Sequence, residues 1–286
     1  MKVHLDCIPC FLRQALEAAS MSVNDRQMRE RTLKEVLSYL LHEDWSKSTA
    51  EVCTNVHRIV KRVLGVRDPY RKLKEELNRA ASRLYPSLRR LVENSEDPFL
   101  TAVKVAIAGN AIDLGPKIDV DIESEVKNIL NRDFVMEEPD KLKALALKYK
   151  RVLYLADNAG ETFFDRVLIE ELVARGVKVT YAVKGGPVLN DATFEDAKAS
   201  GITGLANVIS TGTDCIGLLL KECSKDFLEE FEGSPLVISK GQGNYESLSE
   251  IKDKRIFFLL KVKCRLVGED LGVELGTPVL KHSFNK

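Results

Sequence analysis

The sequence has few of the features that mark a disulfide-rich, membrane-spanning or secreted protein. Its 286 residues include only six cysteines, and only Cys7 and Cys10 lie close together, so a disulfide framework is not expected. No apolar run approaches the roughly 18 residues that cross a bilayer, and the first residues form no apolar segment of signal-peptide length. We therefore expect a cytoplasmic protein with reduced thiols and no membrane partner.

An excess of charge of either sign is also missing. Forty-three Lys and Arg residues balance forty-three Asp and Glu residues, so the formal net charge is +0 at pH 7. Proteins that bind nucleic acids or membrane surfaces need surplus Lys and Arg to contact phosphates. No nucleic-acid partner is expected, although a local basic pocket for a small anion is compatible with this balance.

The first half of the chain has a helical pattern. Residues 25–42 place apolar side chains on one stripe, with charged residues between them. Ser48 and Glu51 have the spacing of a capping box, and Gly65 predicts the end of the helix that they open. Because no segment before residue 150 alternates as a strand does, we predict an all-helical N-terminal domain over residues 1–150.

The second half has a different pattern, in which short apolar runs alternate with amphipathic segments. Continuous apolar runs between helices are typical of buried parallel strands. We therefore predict a three-layer α/β/α, Rossmann-like domain with a mostly parallel sheet over residues 151–286. The predicted strands are residues 152–156, 177–183, 207–210, 236–239 and 256–260.

Polar residues follow two of these predicted strands. Asp157 and Asn158 come directly after the first, with Glu161 close by, and Asp191 follows the second. The carboxyl ends of parallel strands share one edge of the sheet, and side-chain oxygens there suit a divalent cation such as Mg²⁺ or Mn²⁺. The alternative is that Asp157 and Asp191 only cap helices.

Glycine-rich turns and lysines occur at the same predicted edge. Backbone N–H groups of such turns bind phosphate at helix N-termini, and Lys184, Lys240 and Lys263 could neutralise its oxygens. Gly241-Gln242-Gly243 lacks the third glycine of a dinucleotide fingerprint, and no phosphate-binding loop of the Walker type occurs. No histidine lies near the edge, so a Ser-His-Asp hydrolase is not expected. The sequence predicts a site for a divalent metal and a phosphorylated small molecule.

Two polar residues interrupt an apolar helix of the first half. A glycine cap explains Gly109 or Gly115, but it does not explain Asn110 and Asp113 in an otherwise apolar segment. We expect Asn110 to point into the active site from the helical domain.

Six segments, taken in this order, resemble the metal-dependent damage-control phosphatases, first catalogued as domain of unknown function 89. The resemblance covers essentially the whole chain and is strongest to subfamily I, a small prokaryotic group that carries a CxxC motif. The segments are Cys7-Ile8-Pro9-Cys10, Asp68-Pro69-Tyr70 with Lys74 and Asn78, Gly109-Asn110-Ala111-Ile112-Asp113, Asp157-Asn158-Ala159-Gly160-Glu161, Leu189-Asn190-Asp191-Ala192-Thr193, and Lys240-Gly241-Gln242-Gly243-Asn244.

The resemblance implies a phosphoric monoester hydrolase that uses Mn²⁺ or Ni²⁺, with Co²⁺ or Mg²⁺ as alternatives. The implied substrates are small phosphorylated metabolites, often damaged forms or side products, and for this subfamily modified nucleotides. A non-catalytic phosphometabolite sensor with the same pocket is one competing hypothesis. A carboxyl methyltransferase, proposed for larger relatives, is another, but the chain has no Gly-rich strand-turn of the adenosylmethionine type.

The resemblance also implies roles for individual residues. Asp157, Asn158 and Asp191 are the implied metal ligands, and Asp157 and Asn158 also touch the phosphate. Lys263 is the implied phosphate contact, with Lys261 as the alternative. Whether Asp157 or a metal-bound water attacks the phosphorus is left open. The oligomeric state is also left open. The implied catalytic residues are Asp157, Asn158 and Lys263, and the implied substrate-binding residues are Asn110, Glu161, Lys240, Gly241, Gln242, Gly243 and Asn244.

The paired cysteines allow three interpretations. Cys7 and Cys10 pack a helix as buried thiols, take part in redox or active-site chemistry, or form half of a zinc site. Cys53 and His57, four residues apart on a predicted helix, could complete the zinc site.

Overall fold

The computed structural model describes residues 1–111, residue 130 and residues 134–283 of the chain. The seven strands found in this part form one sheet, in the order β1-β7-β6-β5-β2-β3-β4. All neighbours are parallel except β6 and β7, so the predicted mostly parallel α/β fold is confirmed. The strands are β1 (Val135–Met136), β2 (Arg151–Leu155), β3 (Lys178–Val183), β4 (Asn207–Ser210), β5 (Val237–Lys240), β6 (Ile256–Lys261) and β7 (Pro278–His282).

Several helices in the described part of the chain have an N-cap side chain that accepts a hydrogen bond from a free N–H group of the first turn. The carboxylate of Asp25 accepts from the N–H of Gln27, and the hydroxyl of Ser48 accepts from the N–H of Glu51. The helices are α1 (Cys7–Ser22), α2 (Arg26–His42), α3 (Thr49–Leu64), α4 (Arg71–Glu93), α5 (Pro98–Ala111), α6 (Pro139–Tyr149), α7 (Glu161–Ala174), α8 (Phe194–Ala199), α9 (Lys225–Gly233), α10 (Gln242–Leu248) and α11 (Arg265–Leu271).

Two strands, β1 and β7, were not predicted from the sequence. The prediction that no strand precedes residue 150 was wrong, because β1 pairs in parallel with β7. With only two residues, β1 is too short to show any periodicity. β7 runs antiparallel to β6; it begins with a proline and ends in Lys281 and His282, so its apolar run is also too short to stand out.

Apolar side chains cover both faces of the sheet. One buried cluster joins α4, α5 and α7 to the strands, and another joins α9 to α11 to the opposite face. α5 approaches α7 closely, because a side chain at Gly109 would lie 2.8 Å from Phe164. α5 and β1 thus belong to the layers of the sheet although both precede residue 150. A domain boundary near that residue stays a prediction.

Helices α1 to α3 form a separate apolar cluster around Phe11, Val36 and Val56. Val188 and Ile216, which follow β3 and β4 respectively, pack against it. The three helices therefore lie over the carboxyl edge of the sheet. Among the described residues, no helix combines the length and the apolar character needed to cross a bilayer.

The strand order has a switch point between β5 and β2. From β2 the chain proceeds to β3 and β4 on one side, and β5 and β6 lie on the other. The connections diverge at this point and leave a crevice beyond the strand ends, where open α/β sheets bind ligands. The residues after β2 and β5 border this crevice.

Candidate active site

Backbone hydrogen bonds bring the three expected metal ligands together. Asn158 and Asp191 form an isolated antiparallel bridge. Next to it, the N–H of Ala192 donates to the carbonyl of Asp157 at 2.7 Å, and the N–H of Ala159 donates to the carbonyl of Asn190 at 2.8 Å. The segments after β2 and β3 are therefore held against each other, so that Asp157, Asn158 and Asp191 lie at one site.

The end of β5 touches the same site through a glycine. Gly241 has φ +80° and ψ 164°, a conformation essentially restricted to glycine. A Cβ atom there would lie 2.0 Å from Cγ of Asp157, so no side chain fits between the strand end and that carboxylate. Asn244 ties the two strand ends together, because its Nδ2 donates to the carbonyls of Ala156 and Lys240 at 3.0 and 2.8 Å.

Two asparagine amides bridge a pair of acidic side chains. Asn110 and Asn158 each donate through Nδ2 to Oδ2 of Asp157 and to Oε1 of Glu161, with all four distances 2.7 Å. Oδ1 of Asn110 accepts from the N–H of Lys261 at 3.0 Å, which fixes the orientation of its amide. α5 thus delivers Asn110 to these carboxylates, whereas Asp113 lies outside the described residues.

The electrostatics of the site favour a cation. Burial, together with the charges of Glu161 and Asp191, holds the pKa of Asp157 well above its usual value. Burial also raises the pKa of Asp191, against the opposing effect of Lys184. The pKa of Glu161 is instead lowered, because Lys240, Lys263 and the two amides outweigh its burial.

The donor set fits a divalent metal. Two carboxylates and the side-chain oxygen of Asn158 are hard donors, and a cation among them would relieve their mutual repulsion. Among the described residues, no three His, Cys, Asp or Glu side chains surround one common position. The fit therefore depends on the mixed set of Asp157, Asp191 and Asn158.

The three lysines expected at phosphate lie in different surroundings. Lys240 is completely buried, and its ammonium lies 2.6 Å from Asp165 and 3.2 Å from Glu161. Lys184 is also buried; it donates to the carbonyl of Gly217 and lies 3.5 Å from Asp191. Lys263 is exposed and lines the cleft.

A cleft of about 480 Å³ opens at this site. Some of the predicted site residues are buried and do not line it: Asn110, Glu161, Lys240, Gly241 and Asn244. The predicted site residues that line the cleft are Cys7, Cys10, Asp157, Asn158, Asp191, Gln242, Gly243 and Lys263.

Thiols form one wall of the cleft, where Cys53 and Cys264 join the two paired cysteines. Sγ of Cys10 accepts from Nε2 of Gln14 at 3.3 Å, and Oε1 of Gln14 accepts from Sγ of Cys53 at 3.3 Å. His57 shares that oxygen at 3.2 Å. All six cysteines are free thiols, and burial raises the pKa of Cys53 well above its usual value.

Comparison with known proteins identifies the family. The profile described as the damage-control phosphatase ARMT1-like domain matches residues 3–279. The chain belongs to this family. The resemblance to the damage-control phosphatase family is thereby confirmed, whereas the assignment to subfamily I stays a prediction. Neither the sensor nor the methyltransferase hypothesis is favoured.

Two damage-control phosphatases match this chain over nearly their full lengths. That of Archaeoglobus fulgidus is 35% identical over 98% of this chain and 99% of its own. Damage-control phosphatase PH1575 of Pyrococcus horikoshii is also 35% identical, and its solved structure, described as a DUF89 family protein, aligns with a TM-score of 0.91 over 99% of both chains. The 4'-phosphopantetheine phosphatase of Mus musculus is 30% identical over 145 residues, 46% of this chain and 18% of that protein.

This damage-control phosphatase is therefore an enzyme that removes phosphate from damaged metabolites, and such phosphatases are generally metal-dependent.

Two residues near the cleft were not predicted from the sequence. Asp165 lies four residues after Glu161, and Glu246 lies four residues after Gln242. Residues at this spacing share one face of a helix, so each acidic residue follows a predicted site residue on the same face. This spacing was the only indication in the sequence that Asp165 and Glu246 lie near the site. Glu246 lines the cleft and accepts from Thr49 at 2.8 Å.

Proposed function

We propose that this damage-control phosphatase hydrolyses a small phosphorylated metabolite at the cleft beyond β2 and β5, with a divalent cation held by Asp157, Asn158 and Asp191. The observation that carries the proposal is the meeting of these three oxygen-bearing side chains at the switch point of the sheet. Their cleft also contains the exposed Lys263, which supplies a positive charge for phosphate.

When bound, the cation supplies Lewis-acid polarisation of a phosphoryl oxygen. The chain supplies the rest of the site. The ammonium of Lys263 neutralises phosphate oxygens, and the amides of Asn110 and Asn158 hold the carboxylate of Asp157 in one orientation. Glu161 and Lys240 act from behind the cleft, where they fix those amides.

The cleft also suggests the class of substrate. Its volume of about 480 Å³ suits a small metabolite, and its walls combine thiols and apolar side chains with Gln242 and Glu246. The activity named for the mouse relative also concerns a small phosphorylated compound. We expect damaged or side-product phosphometabolites, modified nucleotides among them, as substrates in the cytoplasm, and Mn²⁺ or Ni²⁺ in preference to Co²⁺ or Mg²⁺.

Hydrolysis of a chromogenic aryl phosphate, measured with each of these four cations, tests the proposal. Asp157→Asn should lower Mn²⁺-dependent turnover by about 100-fold or more, because it removes a charged ligand. Asp214→Asn is the matched control, since Asp214 pairs with Arg58 and Lys61 outside this cleft. Turnover that needs no metal, or that survives in Asp157→Asn, would contradict the proposal.

The same assay compares the two candidate phosphate lysines. Lys263→Ala should raise KM about tenfold, since a charge on the cleft wall is lost. Lys261→Ala should leave KM near wild type, because the group that Lys261 gives Asn110 is its backbone N–H. The reverse result would assign the phosphate contact to Lys261.

We also propose that the chain belongs to the CxxC-bearing subfamily I, and that the α1 to α3 bundle takes part in substrate binding through Cys7 and Cys10. Cys7 and Cys10 line the cleft beside Asp157 and Lys263. Zinc analysis after removal of the active-site cation separates this proposal from the zinc hypothesis. Residual zinc that disappears in Cys10→Ser would favour the zinc site.

A further inference from the structure

A network of buried charges lies behind the cleft. Lys240 is completely buried, with its ammonium between Oδ1 of Asp165 at 2.6 Å and Oε2 of Glu161 at 3.2 Å. Asp165 is also completely buried, and Glu161 is 4% exposed. The network holds two carboxylates and one ammonium, and α7 carries both carboxylates one turn apart.

Asp165 uses both of its oxygens in this network. Oδ1 accepts from the hydroxyl of Tyr154 as well as from Lys240, and Oδ2 accepts from the hydroxyl of Tyr181, both hydroxyls at 2.8 Å. The tyrosines stand on the adjacent strands β2 and β3, where they are paired in register. Asp165 is therefore held by three donors and can hold Lys240 in one place.

Stability alone is a poor explanation for such a network. Buried ion pairs lose much of their attraction to desolvation, and apolar residues of similar size often serve as well. What the network does provide is a fixed N–H of Lys240 directed at Glu161. Glu161 completes the connection to the cleft, because its Oε1 accepts from the amides of Asn110 and Asn158 at 2.7 Å.

The amide of Asn158 is the last link. Its Nδ2 donates to Glu161 and Asp157, so its Oδ1 is directed to the opposite side of the amide. We propose that Asp165 is a positioning residue, which holds the ammonium of Lys240 against Glu161. Glu161 in turn orients the amide of Asn158, so that Oδ1 of Asn158 is available to a divalent cation. This inference rests on the proposed function, since it takes Asn158 as a ligand.

Mn²⁺ binding by calorimetry, without substrate, tests the inference in Asp165→Asn, which keeps the size of the side chain and removes its charge. We expect about 10- to 100-fold weaker binding, as is typical when groups behind metal ligands are changed. Turnover should fall at low Mn²⁺ and recover at high Mn²⁺, with KM for the aryl phosphate little changed. Recovery by excess metal distinguishes positioning from general loss of folding. Asp214→Asn, which breaks an ion cluster outside the cleft, should bind Mn²⁺ as the wild type does.

Metal-free protein provides a second readout. The side-chain NH₂ signals of Asn110 and Asn158 in ¹⁵N–¹H spectra should shift towards those of solvent-exposed amides in Asp165→Asn. If that variant does not fold, the double variant Tyr154→Phe/Tyr181→Phe, which removes two donors to Asp165, should move the same signals and weaken Mn²⁺ binding. Either variant, folded and with wild-type Mn²⁺ affinity, would overturn the inference while leaving the proposed function intact.

A different outcome would separate the two proposals. Wild-type protein that binds no Mn²⁺, Ni²⁺, Co²⁺ or Mg²⁺ would overturn the proposed metal site. The part of the inference that concerns the cation would fall with it, and the positioning of Asn158 would then be judged on the metal-free spectra. Unchanged NH₂ signals in Asp165→Asn would overturn it as well, and shifted signals would support the positioning of Asn158.

Discussion

At the scale of single residues, two glycines with a positive φ differ sharply in the space that surrounds them. Gly241 allows β5 to end in contact with Asp157, since a Cβ atom would overlap that carboxylate at 2.0 Å. Gly176, which also has a positive φ, has nothing within 4 Å of the place where a Cβ would stand. The first glycine is required by packing, whereas the second is required only by its backbone.

Gly241→Ala should therefore lower both stability and activity. Backbone strain of about 1–3 kcal/mol, together with an overlap that displaces Asp157, predicts a loss of about 2–4 kcal/mol in the free energy of unfolding. Urea denaturation and turnover measure the two effects.

Gly176→Ala is the control, and it should cost only about 1–2 kcal/mol of backbone strain with turnover unchanged. Equal effects of the two substitutions would contradict the steric role assigned to Gly241.

At the scale of helices and strands, α3 shows how local and tertiary effects combine. Its N-cap was visible in the sequence, and the hydroxyl of Ser48 accepts from the N–H of Glu51 at 3.2 Å. Tertiary packing then directs α3 so that Thr54 accepts from the N–H of Ile216 at 2.9 Å and Cys53 reaches the cleft. Capping determines where the helix begins, and packing determines what it contributes to the site.

Removing the cap should destabilise the protein without changing its chemistry. Ser48→Ala is expected to lower the free energy of unfolding by about 1 kcal/mol, because the N–H of Glu51 loses its acceptor. Thermal unfolding gives the stability, and turnover well below the transition should match the wild type.

Ser38→Ala, an exposed change within α2, serves as the comparison and should be neutral or slightly stabilising. A similar loss in both variants would show that the cap of α3 contributes nothing special.

At the scale of the whole molecule, burial links proton binding to folding. His57 is 3% exposed, and burial, assisted by Lys61, lowers its pKa to about 4. Because the unfolded chain binds this proton with an ordinary pKa near 6.5, it holds more protons than the folded chain between about pH 4 and 6.5. The neutral ring favours the folded state above pH 6.5, and this contribution is lost as the pH falls towards 4.

The wild type should therefore lose more stability on acidification than a variant without this ring. Between pH 7 and pH 4, the loss should be about 3 kcal/mol smaller in His57→Gln, as follows from a lowering of the pKa to about 4. Denaturant titrations at several pH values measure the difference. His42→Gln, at an exposed position, should follow the wild type, and a parallel profile for His57→Gln would refute the linkage.

Much of the candidate site was predictable because local chemistry marks it. Asp157 and Asn158 stand directly after a buried strand, and Asn110 interrupts an apolar helix, so their types and positions were informative without a structure. Asp165 was not predictable in the same way. A single Asp on a helix is usually a surface residue, and only the register of β2 and β3 places Tyr154 and Tyr181 against it.

The sequence by itself determined the alternation of strands and helices after residue 150, the caps of several helices and the residues that follow the strands. These properties depend on neighbours within a few positions, and they are therefore written in local patterns. Only the tertiary structure decided that Lys240 is buried behind the cleft while Lys263 lines it, and that β1 and β7 extend the sheet. It also decided that the thiols of α1 and α3 line the same cleft as Asp157. Those arrangements depend on contacts between residues that are distant in the sequence, 75 positions apart for Lys240 and Asp165, and the packing of the sheet and helices creates these contacts. The net charge of the sequence does not show this arrangement, because Lys240 is distant in the chain from Glu161 and Asp165 and is brought to them only when the chain folds.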